Sequence, residues 1–292
     1  MNSESPMKVH LYKVNATDGA PPLRDTLNKL RSLTIEQRLK FVSGADIRLE
    51  EIHAPASGES LWKLDLCKLR NQGPGKASQQ QPTTSFQLQQ GERFSEETAL
   101  IYDEKLDYLV LQYNHYGPRA TAISNYLSLF LPQGFEYWFA VQLDPTAQAR
   151  FMAKKQFTRM AIRVAPAKLS AEWRKANISM YKAFEADQVT FGGDWISVEI
   201  SLQAHSQGTL KIMDKVKGFF GLADESEEAV SRLVVAGRNA VGENVEDVDL
   251  LTEKLEITYK SLPLDTGLRV SAQDRWTRLG AALAIWKDKG VL

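Results

Sequence analysis

The sequence predicts an α+β fold of mixed, mainly antiparallel sheets with packed helices. Two observations carry that expectation. Stretches of strand-type alternation and stretches of helical spacing are interspersed without the regular strand–helix–strand rhythm of a doubly wound sheet. The 292 residues, at 43% hydrophobic and 25% charged, have ordinary globular proportions and are long for one core but comfortable for two.

In chain order, Lys8–Val14 alternates and reads as a strand. Pro21-Pro22 then opens a helix with Leu23, Leu27 and Leu30 on one face. Thr34 and Gln37 stand at capping-box spacing, so Thr34–Val42 is expected to be a second short helix. Ile47–Ile52 and Leu61–Leu69 read as strands; in the latter Trp62, Leu64 and Leu66 point one way, Lys63 and Asp65 the other. Residues 71–92 are rich in Gln, Gly, Pro, Ser and Thr, too polar to pack, and are expected to form a mobile surface loop. Ala99–Tyr102 and Tyr108–Tyr113 make a hairpin, followed by the turn HYGPR. Pro118 suits the first turn of a helix from about Arg119 to Leu131. Phe135–Leu143, Gln156–Val164, Trp195–Leu202 and Lys254–Tyr259 read as strands. Pro166–Glu185, Leu210–Phe220, Glu227–Arg238 and Ser271–Lys289 read as helices, the last opened by a Ser271/Asp274 capping pair.

Composition excludes several classes of function. The single cysteine, Cys67, can form no internal disulfide and favours a reducing, cytoplasmic compartment. Apolar runs fall short of the roughly 20 residues that span a bilayer, and the start, MNSESPMKVHLYKV, lacks the pattern of a secretion signal. There is no GxxxxGK[ST] loop and no GxGxxG after a strand. His10, His53, His115 and His205 stand apart, without a second ligand at metal spacing, so neither metal nor cofactor is expected. Asp103-Glu104-Lys105 has a D-x-K spacing that some nucleases use, although a strand end and turn explain it equally. No catalytic residue is assigned, and a cryptic nuclease stays open.

The neutral net charge hides two opposed segments. Residues 145–183 hold nine cations against Glu172, a net +8; residues 224–256 hold ten acids against three cations, a net −7. In KKQFTRMAIRV, alternation places Lys155, Phe157, Arg159, Ala161 and Arg163 on an outer face, with Met160, Ile162 and Val164 toward the core. Neighbouring cations of that row are about 13 Å apart along the strand, and the following segment adds Lys168, Arg174, Lys175 and Lys182. A row of cations without local acids suits a nucleic-acid backbone, whose condensed counterions they release. The competing expectation is a basic face paired with the acidic segment, in one molecule or across a dimer. The Leu210–Phe220 stripe is core packing with a lysine edge rather than a membrane surface, and the Trp-bearing terminal helix reads as core or dimer interface.

The order LDYLVLQYN, YGPRATAISNYL, YWFAVQL and KKQFTRMAIRV, with Gly117-Pro118 before a small-polar helix start, resembles the RexA-like family, the cytoplasmic component of the lambda phage Rex exclusion system. The resemblance covers roughly residues 99–165 and extends toward 262. It implies a homodimeric, largely sequence-nonspecific double-stranded DNA-binding protein in phage exclusion, acting with a membrane-embedded partner. It also implies a globular domain, residues 1–144 with 262–292, interrupted by a second domain at 145–261. Under this reading Lys154, Lys155, Arg159, Arg163, Lys168, Arg174, Lys175 and Arg119 contact phosphates, and Lys260 joins them late in the inserted domain. With about 6–8 phosphate contacts, affinity should fall about 10³–10⁴-fold between about 50 and 200 mM salt. The alternative is a protein-interaction module whose basic block docks an acidic partner or subunit.

Overall fold

The computed structural model describes residues 4–169, 174, 178–201, 229–240 and 244–292. From the N-terminus come β1 (Glu4–Ala16), α1 (Leu23–Arg31), β2 (Lys40–Val42), β3 (Ala45–His53), β4 (Leu61–Arg70), β5 (Gly75–Ser78) and β6 (Gln81–Ser85). Then follow β7 (Phe94–Asp103), β8 (Tyr108–Tyr113), α2 (Ala120–Ser128), β9 (Tyr137–Val141), α3 (Pro145–Met152) and β10 (Gln156–Val164). A 3₁₀ turn at Pro166–Lys168 precedes α4 (Ile178–Phe191), β11 (Ile196–Ser201), β12 (Val230–Arg238), β13 (Glu246–Asp249), β14 (Glu256–Pro263) and α5 (Ala272–Asp288). The fold is mixed α+β with mainly antiparallel sheets.

The chain divides into two compact units, Met1–Phe139 with Glu256–Gly290, and Ala140–Leu255. The insertion expected at 145–261 therefore runs from Ala140 to Leu255. Its expected end fails because β14 hydrogen-bonds to β1, with Val9 opposite Ile257, and so belongs to the first unit.

In the first unit the strand order is β14-β1-β8-β7-β4-β3-β2, with β9 also paired to β1. Leu64, Leu66, Ala99, Leu100, Ile101, Leu109 and Val110 are all buried, so the central strands are covered on both faces. α1 contributes Leu23, Leu27 and Leu30, and α2 contributes Ile123, Tyr126 and Leu127. α5 is fastened by Trp276, whose Nε1 donates to the Leu64 carbonyl at 2.9 Å, and by Arg275, which donates to Asp65 at 2.7 Å and Glu97 at 3.0 Å. Burial, ahead of Arg275's opposing attraction, pushes the Asp65 carboxyl up to about 6.

Thr34 and Gln37 do bond reciprocally, Thr34 N–H to Gln37 Oε1 at 2.9 Å and Gln37 N–H to Thr34 Oγ1 at 3.3 Å. The expected helix stops after one turn because Lys40–Val42 is claimed by pairing with β3. Residues 71–92 hold an exposed hairpin, β5 with β6, where a loop without secondary structure was expected.

The second unit is a four-stranded antiparallel sheet, β11-β10-β12-β13. Its inner face buries Met160, Ile162, Val164, Leu233, Val235 and Val248, covered by Phe184 of α4, with Phe151 of α3 packed alongside. The helix expected at Glu227–Arg238 is the strand β12 over Val230–Arg238. A register shift puts Val164 opposite Val230 but Arg163 opposite Arg232, so Ser231 is extra. That bulge spaces Val230, Leu233 and Val235 by three and then two, which imitates helical periodicity. Pro166–Glu185 resolves into the 3₁₀ turn and α4, with residues between them outside the described ones; Leu210–Phe220 also lies outside them.

Candidate nucleic-acid interface

β10 is the strand that the sequence marks as basic, and its neighbours fix what each cation meets. Register places Arg159 between Ser201 and Ala236, Ala161 between Glu199 and Val234, and Arg163 between Ser197 and Arg232. A second bulge, between Phe157 and Arg159, makes Thr158 the extra residue. Phe157 consequently turns inward and is 5% exposed within the core, which corrects its expected place on the outer face.

The acidic segment supplies β13 and the loop after it, and they pair with Arg150, Lys154 and Arg159. Lys154 was expected at a phosphate, but its side chain is 2% exposed and its ammonium pairs with Glu246. Arg150 donates to Glu246 at 3.3 Å and to Glu253 at 2.7 Å. Arg159 places one Nη against both oxygens of Asp247, at 2.6 and 2.9 Å, with Glu199 3.7 Å from its other Nη. Hydrogen bonding to these carboxylates raises both arginines further above their usual range, and Lys154 with Arg150 holds Glu246 below its own. Arg159 is therefore part of the domain's internal ion-pair network. Asp247 comes from the acidic segment, so for Arg159 the competing expectation of a basic face paired with that segment holds.

Arg163 is different. It is exposed, its guanidinium lies 5.1 Å from the Trp195 ring centroid, and it stands directly across from exposed Arg232. Among the described residues neither arginine has a carboxylate within ion-pair distance. Like charges directly opposite on a sheet are destabilising, and an anion bridging them removes the penalty. Arg232 and Trp195 were missed from the sequence because Arg232 was assigned to a helix; the basic, β-branched run SRLVVAGR was the available signal.

The remaining candidates separate. Lys155 and Lys168 are exposed in the second unit. Arg174 donates to the Ala167 carbonyl at 3.0 Å and stacks 5.0 Å over Tyr181, which ties it to backbone. Lys175 lies outside the described residues. Arg119 is the N-cap residue of α2, in the first unit. Lys260 lies on β14, also in the first unit, which corrects its assignment to the inserted domain.

The other candidates for chemistry are occupied. Asp103 of the D-x-K spacing is 1% exposed and accepts from Lys287 at 2.7 Å and from the Lys105 N–H at 3.1 Å. Among the described residues no three His, Cys, Asp or Glu side chains gather to hold a metal ion. Cys67 is buried, and burial together with a bond to Glu50 pushes its thiol up to about 12. Among the described residues no helix is long and apolar enough to cross a membrane.

A family model described as a family of unknown function, DUF6731, matches residues 13–274, and the chain belongs to that family. No curated protein matches the chain.

Proposed function

We propose that this member of DUF6731 is a non-catalytic binding protein for double-stranded DNA, which it engages without base readout through the outer face of the β11-β10-β12-β13 sheet. The single observation that carries this reading is the cross-strand pair Arg163–Arg232, exposed and, among the described residues, without a carboxylate within ion-pair distance. The Trp195 ring lies under the Arg163 guanidinium, 5.1 Å from its centroid. Arginines so placed fork onto phosphate oxygens, contacts that carry no sequence information. Lys155, immediately before β10, adds an exposed cation.

Internal pairing of Arg150, Lys154 and Arg159 lowers the contact number to about two or three per chain, so the salt slope is expected near −2 to −3. A homodimer doubles that number. The resemblance to the RexA-like family supplies the setting we favour, a cytoplasmic role in phage exclusion beside a membrane-embedded partner.

Gel shift with unrelated duplexes tests the reading. Arg163→Glu combined with Arg232→Glu should abolish binding of every duplex alike, and retention of affinity would refute it. The protein-interaction reading has one observation in its favour, since three cations of the block already dock on the chain's own acids. Size exclusion in low and high salt separates it: salt-sensitive self-association without a gel shift would favour it.

A further inference from the structure

The first unit holds a cavity of about 300 Å³, at the small end for ligand pockets, lined by β3, β4, β7 and the segment that leads into α5. Strand pairing explains why its wall is acidic. Glu51 of β3 stands directly opposite Asp65 of β4, and Glu97 of β7 opposite Cys67, two residues along. All three carboxylates therefore share one face of the sheet. Glu50, the extra residue of a bulge in β3, and Asp265, from the segment before α5, complete the set.

Much of this charge is matched. Arg48 donates to Glu50 at 2.7 Å, and Arg269 pairs with Glu97. One nitrogen of Arg275, Nη2, serves both Asp65 Oδ2 at 2.7 Å and Glu97 Oε2 at 3.0 Å. Five carboxylates against three guanidiniums leave a formal charge of −2 when His53 is neutral.

That excess is felt at two depths. At the floor, Asp65 is 3% exposed and its Oδ1 has no hydrogen-bond partner; the Arg275 Nε has none either. Burial raises the Asp65 carboxyl, Arg275 opposes it, and the charges of Glu51 and Glu50 add to the rise. At the rim, the exposed Glu51 carboxylate meets the His53 imidazole at 3.1 Å and, among the described residues, no lysine or arginine within ion-pair distance. Like charges directly opposite on a sheet repel, and a buried carboxylate oxygen without a donor is rare. A water molecule gives Oδ1 a donor but leaves the charge unmatched. One metal ion fits no better, because among the described residues no three ligating side chains converge. Two ammonium groups on one short chain answer both depths.

We propose that this cavity binds a small aliphatic diamine, with one ammonium on Asp65 at the floor and the other on Glu51 at the rim. The dication matches the excess charge of the wall, and its N–H groups supply the donor that Asp65 Oδ1 lacks.

Calorimetric titration of the full chain with 1,4-diaminobutane, at low salt, tests it. Saturable binding is expected, and 1-aminobutane, with one ammonium, should bind about fivefold more weakly, the upper range for an exposed ion pair. Glu51→Gln should weaken diamine binding by a similar factor, and Asp65→Asn by at least about tenfold, as for a buried charge-assisted hydrogen bond. Glu51 is exposed, so Glu51→Gln keeps the fold and decides the matter if Asp65→Asn does not fold. A short peptide with one lysine, as competitor, distinguishes a protein side chain from a free diamine; it should compete no better than 1-aminobutane. Both substitutions lie in the first unit, away in the chain from the arginine pair assigned to duplexes, so the two readings succeed or fail separately. Absence of saturable binding, displacement of the diamine by an equal concentration of magnesium, or wild-type affinity in Glu51→Gln would each overturn the proposal.

Discussion

Lys154 and Arg163 lie nine positions apart by number on one basic run, yet their environments are opposite. Alternation along the run was legible, and it placed Met160, Ile162, Val164, Arg159 and Arg163 on their observed faces. It failed at Phe157, because a bulge cannot be read from one strand without its partner. It said nothing of Lys154, whose acid lies far along the chain at Glu246. Lys154→Ala should lower stability by about 1–3 kcal/mol, leaving Glu246 with fewer donors, and leave duplex affinity unchanged; chemical denaturation and gel shift check both. Glu256 makes a pH test at the same scale. A hydrogen bond from His10, and then the nearby charge of Lys8, hold its carboxyl at about 2. Because that lies below the ordinary 4.5, Glu256 contributes stability that is present above the unfolded value and lost as pH falls toward about 2. Its partial exposure limits the contribution to about 1–2 kcal/mol. Glu256→Gln should therefore cost stability near neutral pH and cost nothing in strong acid. A difference between the two proteins that does not vary with pH would contradict this.

At the scale of elements, long periodic segments were legible: β10 has the bounds that alternation assigned, and α5 differs by a residue at each end. β12 was not legible, since the extra Ser231 breaks its alternation where it passes Arg163. The capping pair at Thr34 was correct as local chemistry and wrong as a helix, because pairing of β2 with β3 overrides it. The misread strand hid half of the candidate site, Arg232. Two element-scale outcomes follow from packing and pairing. Trp276→Ala, which removes a buried ring from the anchor of α5, should destabilise the first unit by about 3–5 kcal/mol, read by thermal or chemical denaturation. Arg232→Glu keeps Arg163 on Trp195 and turns a like-charge pair into an opposite one. It should raise stability by about 0.2–1 kcal/mol while weakening duplex binding. Loss of both together would mean that the pair is structural.

For the whole molecule, the opposed charge segments were visible in composition and their pairing in one molecule was among the expectations; which cations pair, namely Arg150, Lys154 and Arg159, was not legible. The length is comfortable for two cores, the chain divides into two compact units, and the observed junction fits the second as an insertion. Leu143 bridges Lys254, the Asp144 N–H bonds to the Glu253 carbonyl at 2.8 Å, and the Leu255 N–H to Gln142 at 2.9 Å. Entry and exit are thus neighbours in one short ladder, and the core between them is its own. Ala140–Leu255 produced alone should unfold cooperatively, as monitored by circular dichroism, and should retain the duplex affinity of the full chain. The most direct measurement is the dependence of duplex affinity on salt between about 50 and 200 mM, for the wild type beside Arg163→Glu with Arg232→Glu. A log–log slope of about −2 to −3 per chain, lost in the double variant, is expected. A slope near zero, or one that the two substitutions leave in place, would contradict the assignment of this sheet face to a polyanion.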